Sequence, residues 1–155
     1  MDDRCAEYPH MHQLPHSYVV SAAAETESNV TLASDGLESV ISAPPEAFGG
    51  PGDLWSPETL LVAAVADCLI LSFRAIARAS SYTWSELQCS VDGKLDKVDR
   101  VMRFTDFAVH ARLTIGSGAD EAKGEKLLHK AEQSCLITNS LIAESHLTVE
   151  ILKTN

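Results

Sequence analysis

Residues 56–80 read SPETLLVAAVADCLILSFRAIARAS, and this stretch decides the fold. Ser56 is a good N-cap, Pro57 suits the first helical position, and Glu58 complements the positive end of the helix dipole. The middle, LLVAAVADCLILSF, is apolar almost all round. A helix with no polar face is buried on most sides. The stretch therefore predicts the central helix of one domain, with Cys68 near its middle. Asp67 and Arg74 interrupt the apolar run, whereas a membrane span needs roughly 20 apolar residues with few or no charges. No span is predicted.

Upstream, residues 43–56 read APPEAFGGPGDLWS, a Pro- and Gly-rich loop with Trp55 as a packing anchor. Before it lie three short runs with strand character, at 17–24, 29–33 and 37–42. Turn signals separate them at Glu27-Ser28-Asn29 and Ser34-Asp35-Gly36, and Asp-Gly between short runs is a hairpin signal. These runs predict a three-stranded meander. Residues 1–15 are polar and mixed, with Pro9 and Pro15, and read as a tail. A single domain would then span 16–155.

Downstream, 83–96 and 103–115 read as two long strands. Leu87, Cys89 and Val91 alternate with polar residues, as do Phe107, Val109, Ala111, Leu113 and Ile115. The charged link 97–102 predicts an antiparallel pair. A turn and cap at 116–120 precede a second predicted helix, 121–143, on which Leu128, Ala131, Cys135, Thr138 and Ile142 share one face. A last strand is predicted at 146–152. The order βββ-α-ββ-α-β predicts an α+β fold, with two long helices packed against a mostly antiparallel sheet.

Composition bounds the function. Apolar types make up 45% of the 155 residues and charged types 22%, an ordinary globular balance. The net charge of −10 argues against nucleic acid or an anionic membrane as the main partner, since both need basic footprints. The N-terminus lacks the apolar core of a signal peptide, so a cytoplasmic protein is expected. In that compartment four cysteines read as buried hydrophobes or reactive thiols rather than structural disulfides. Cys5, His10, His12 and His16 are of metal-ligand type, but their spacing matches no standard site, and no metal is expected.

Cys89 takes an inward strand position and reads as core. Cys68 and Cys135 each lie on an apolar face of a predicted helix. If the two helices pack together, the thiols meet. Such a pair is either ordinary packing or a peroxidatic and resolving pair, and periodicity does not separate the two.

Two segments carry a resemblance. Residues 56–68, SPETLLVAAVADC, place a cysteine ten residues after a Ser-Pro-Glu, and residues 131–140, AEQSCLITNS, form a second signature. With the Ser-Asp-Gly turn and the PEAFGGPGD loop, the chain resembles the OsmC/Ohr family of thiol peroxidases from about His16 onward. The resemblance implies an intertwined homodimer with two sites at the subunit interface. It also implies reduction of organic hydroperoxides, regeneration by an external dithiol, and no cofactor. Carried over by position, Cys68 is the peroxidatic thiolate, Cys135 the resolving cysteine, and Glu58 the active-site glutamate. In the family that glutamate pairs with an arginine that stabilises the thiolate.

This chain departs from the pattern there. The arginine is expected near Glu27, yet no arginine lies between Arg4 and Arg74. An acid beside a thiolate raises its pKa instead. The second signature also lacks the proline that follows the cysteine in the best-known members, and its Cys-Leu-Ile-Thr run resembles a less characterised branch. Substitute cations would be Arg100, Arg103 or His16; Arg74 and Arg78 lie further along the helix of Cys68. Ten helical residues rise about 15 Å, so on a continuous helix Glu58 must reach Cys68 from the other subunit. Leu61, Val65, Leu69, Ile137 and Leu141 around the cysteines would favour an organic substrate over hydrogen peroxide. The rival readings are a non-catalytic dimer binding an apolar small molecule, and a thiol redox sensor or a hydrolase with Cys68 as nucleophile. A hydrolase needs a histidine base near Cys68, and none lies in either motif.

Overall fold

The computed structural model describes residues 12–154; Cys5 and His10 of the predicted tail lie outside them. Two compact units divide the chain, one running through Ser56 and the other beginning at Pro57.

The first unit is the predicted meander. Strands β1 (Ser21–Ala23), β2 (Val30–Ala33) and β3 (Val40–Ser42) pair antiparallel in that order. β1 is shorter than the run 17–24 suggests, and Tyr18, Val19 and Val20 are exposed. The Ser34-Asp35-Gly36 turn forms as read: the Leu37 N–H donates to the Ser34 carbonyl at 3.1 Å, and Gly36 takes φ +73°. In the loop that follows, Gly50 packs against the Pro44 carbonyl, where any Cβ would collide. The Ala43 N–H donates to the Trp55 carbonyl at 2.9 Å and ties the two ends of the loop together.

The second unit opens with α1 (Pro57–Ala79), within a residue of the predicted helix. Val65, Leu69, Phe73 and Ala77 recur every fourth residue and are buried, so they form one ridge. α1 is long and apolar enough to cross a membrane, yet this ridge lies in a protein core. The ridge shares that core with the inward residues of β5 (Val101–Gly116), namely Phe107, Val109, Ala111, Leu113 and Ile115. β4 (Glu86–Val98) pairs antiparallel with β5, and β6 (Glu144–Thr154) pairs parallel with it on the other side. A parallel neighbour needs a crossover connection, and α2 (Glu121–Gln133) supplies it.

Three local features differ from expectation. The link between β4 and β5 is tighter than 97–102: Asp99 and Arg100 take φ +51° and +67°, the left-handed pair of a two-residue hairpin turn. A bulge at Lys94/Leu95 leaves Thr105 as the extra residue on β5. Phe104 and Phe107, three apart, therefore face the same side and stack with ring centroids 5.3 Å apart.

The second helix ends at Gln133, not 143. Its expected continuation is rich in residues whose side chains compete for backbone carbonyls. The Ser134 hydroxyl donates to the Lys130 carbonyl, Thr138 to Cys135, Asn139 to Gln133 and Ser140 to Leu136. Cys135 thus lies in a loop, followed by a short 3₁₀ turn at Thr138–Ser140. Ile142, expected on the apolar face of the helix, is exposed.

Candidate active site

Cys68 sits midway along α1, and Cys135 sits two residues beyond the end of α2. The helices pack, and the two thiols influence each other directly. Both are free, Cys68 half-buried and Cys135 buried at 2% exposure. The accessible sulfur is therefore that of Cys68, with Cys135 behind it.

The surroundings divide the proton unequally. Burial pushes the Cys68 thiol up, and the neighbouring Cys135 pushes it further; the Ile137 N–H and the Ser72 hydroxyl, 3.8 Å away, oppose this only in part. For Cys135 burial also pushes up. It is outweighed by the Thr138 N–H, the Cys68 thiol, the Thr138 hydroxyl and the Ile137 N–H, so the Cys135 thiol ends below its ordinary value. The loop of residues 135–138 folds its N–H groups toward the sulfurs, and donors aimed at a thiolate favour it. The surroundings thus make Cys135 the easier of the two thiols to ionise and Cys68 the harder. Burial, and next the charge of Cys135, push Cys89 up to about 11, which keeps it a neutral thiol.

Glu58 lies in the first turn of α1, and one carboxylate oxygen is buried with no hydrogen-bond partner among the described residues. α1 is continuous, so about 15 Å of helix separates Glu58 from Cys68. The structure does not bring these two together within one chain. None of the other candidate cations is among the groups that set the two thiols. Arg74, Arg78 and Arg100 are exposed, and the His16 ring bonds the His12 carbonyl at 2.9 Å. Burial and hydrogen bonds, not a cation, govern both thiols.

Two contributors escaped the sequence reading. Ser72 stands one turn beyond Cys68, an i,i+4 relation open to anyone who expects the helix. The N–H groups of Ile137 and Thr138 have no signature in side chains. A pocket of about 370 Å³ is lined by Leu61, Phe104, Phe107, Leu141 and Ile142, with Arg103 among its walls. Leu61 precedes Cys68 by seven residues on nearly the same face of α1, about 10 Å along the axis.

An α+β protein with two facing reduced thiols, one on the central helix and one in the loop after the second, is the class these features define. Residues 50–151 match the model of the OsmC-like protein family, and the chain belongs to that family. It is 28% identical over 123 residues to the uncharacterised protein YmaD of Bacillus subtilis, covering 77% of this chain and 81% of YmaD. It is 26% identical over 96 residues to peroxiredoxin OsmC of Escherichia coli, covering 62% of this chain and 66% of that protein. Among solved structures, an OsmC-like protein from Mycoplasma pneumoniae superposes with a TM-score of 0.74 at 17% identity, over 92% of this chain and all of that one. An organic hydroperoxide resistance protein from Legionella pneumophila superposes with a TM-score of 0.70 at 21% identity, over 90% of this chain and 98% of the other. These similarities at low identity establish the OsmC-like fold.

Proposed function

We propose that this protein is a cytoplasmic, homodimeric thiol peroxidase that reduces organic hydroperoxides. The supporting observation is the thiol pair itself, with an accessible Cys68 backed by a buried Cys135 whose surroundings favour the thiolate. As the Cys68 sulfur attacks the terminal peroxide oxygen, the Cys135 thiolate takes its proton. The O–O bond breaks, the proton passes to the departing alkoxide, and an alcohol leaves with Cys68 as a sulfenic acid. The Cys135 thiolate then attacks the Cys68 sulfur, and the hydroxyl leaves as water with one solvent proton. An external dithiol reduces the disulfide by exchange. In this scheme Cys135 serves as the proton acceptor, a different role from that of an arginine, because its presence raises the Cys68 thiol.

The apolar side chains of Leu61 and Leu141, which line the pocket beside α1, support an organic substrate over hydrogen peroxide. The orphaned carboxylate oxygen of Glu58 supports a role completed by the second subunit. One observation favours a ligand-binding dimer without turnover: no cation lowers the Cys68 thiol.

Stopped-flow consumption of cumene hydroperoxide with a dithiol reductant separates these readings. The wild type is expected to turn over and to accumulate a Cys68–Cys135 disulfide, visible by mass, when reductant is withheld. Cys68→Ser is expected to lose all consumption. Cys135→Ser is expected to stop after one equivalent as a sulfenic acid. A wild type that consumes no hydroperoxide over its uncatalysed rate overturns the proposal.

A further inference from the structure

We infer that Ser72 is a further catalytic residue, whose hydroxyl contacts the Cys68 sulfur and donates a hydrogen bond to it as the thiolate forms. This inference deepens the peroxidase reading and rests on it for the reaction step, not for the contact.

On α1 the residues one turn from Cys68 are Ala64, Val65, Leu71 and Ser72. Three are apolar, so only Ser72 can answer a charge on the sulfur from the helix itself. Its direction suits the task. Every Cα–Cβ bond of a helix tilts toward the N-terminus, so the side chain of residue 72 leans back over residue 68. The Ser72 oxygen and the Cys68 sulfur stand 3.8 Å apart. Elsewhere in the chain a serine hydroxyl returns to the backbone: Ser134 and Ser140 donate to the carbonyls four residues behind them, at 2.9 and 2.7 Å. Ser72 has a sulfur within reach. Both residues are half-buried, so water competes less for the contact than it would on an open surface.

The sign of the contact depends on the proton. While Cys68 is a thiol, either partner can donate. A thiolate has no proton to give, so the serine must then be the donor. Hydrogen bonds to an ionised acceptor are shorter and stronger than neutral ones. The contact therefore favours the thiolate and tightens as charge builds on the sulfur. Ser72 and the Ile137 N–H act in this direction on Cys68, against burial and Cys135. The N–H belongs to the backbone, which leaves Ser72 as the side-chain donor that a substitution can remove. The serine keeps its proton throughout the peroxide step. A lower proton affinity costs a thiolate only part of its nucleophilicity, so the fraction ready to attack rises faster than its reactivity falls.

The experiment reads Cys68 alkylation by iodoacetamide against pH in the Cys135→Ala protein, where the midpoint belongs to Cys68 alone. Ser72→Ala is expected to raise that midpoint by about half a pH unit to one unit, the scale of a single hydrogen bond. Alanine suits a helix interior, so the fold is expected to survive. The high-pH plateau is expected not to fall, whereas a mere change of access would move the plateau and leave the midpoint. Ser72→Thr, which keeps the hydroxyl, is expected to bring the midpoint back. An unmoved midpoint in Ser72→Ala, or one as high in Ser72→Thr, overturns the inference. The reaction step is read with both cysteines present. At pH 7, Ser72→Ala is expected to consume cumene hydroperoxide about twofold to threefold more slowly than the wild type, with the deficit closing above the midpoint. An undiminished rate overturns the catalytic role. A wild type that consumes no hydroperoxide sinks the peroxidase reading, and a midpoint raised in Ser72→Ala and restored in Ser72→Thr still upholds the donor.

Discussion

Replacing Cys135 by serine removes a neighbour that, after burial, does most to hold the proton on Cys68. The Cys68 alkylation profile of Cys135→Ser should therefore move to lower pH than that of the wild type, and iodoacetamide labelling at neutral pH should speed up. The reverse exchange has the opposite sign. Cys68→Ala takes away a donor that favours the Cys135 thiolate, so the Cys135 thiol should rise. Peptide mapping of partly alkylated protein against pH reads both. The same maps test Cys89. With its thiol pushed up to about 11, only roughly a thousandth of it is ionised at pH 8. Its label should lag far behind that of Cys68 in the folded protein and catch up only in denaturant. A Cys89 that labels as fast as Cys68 would contradict the burial that sets its proton affinity.

Elements position these residues, and Gly93 shows how tightly. It lies on β4 opposite Phe107, and a Cβ built there would meet Val62 at 2.8 Å, Phe104 at 3.0 Å and Phe107 at 3.1 Å. α1 rests against the sheet at a distance that only hydrogen permits. Gly93→Ala should cost about 1–3 kcal/mol by overpacking. The urea midpoint at fixed protein concentration checks this; an unchanged midpoint would mean the helix yields freely. Most of this scale was legible in the sequence. Period-2 alternation in 107–115 and the capped apolar run after Ser56 identified β5 and α1 because one face of each is buried. The end of α2 was not legible, because Leu128, Ala131, Cys135 and Thr138 keep a helical period past the point where the helix stops. Periodicity records which residues are apolar. It does not record that Ser134, Thr138, Asn139 and Ser140 will draw carbonyls away from a helical ladder. That break is also what turns the Thr138 and Ile137 N–H groups toward Cys135, so the feature missed in the fold and the one missed in the site are the same. The left-handed pair Asp99-Arg100 was hidden for a related reason, since neither residue is the glycine that usually marks such a turn.

At the scale of the whole molecule, α1 poses a problem that the single chain leaves unsolved. Its most apolar window is only 22% buried, and Leu71 remains 49% exposed on a helix whose other face is core. Burying one leucine is worth roughly 1.5–3 kcal/mol, so a second copy laid against this surface would gain several such contributions. The proposed homodimer answers that demand, and it would also give the orphaned oxygen of Glu58 a neighbour from outside its own chain. Charge works against the same association, because two copies at −10 each repel. Apolar attraction and like-charge repulsion respond differently to salt. Screening shortens the reach of the repulsion to about 10 Å at 0.1 M ionic strength and leaves apolar burial in place. The dimer should therefore tighten as salt rises, whereas an association built on ion pairs would loosen. Sedimentation velocity at two ionic strengths reads the sign directly. Leu71→Glu should shift the molecule toward monomer at low salt by adding charge where contact is expected. A monomer at every concentration for the wild type would refute the dimer, and a dimer untouched by Leu71→Glu would place its contact away from this face of α1.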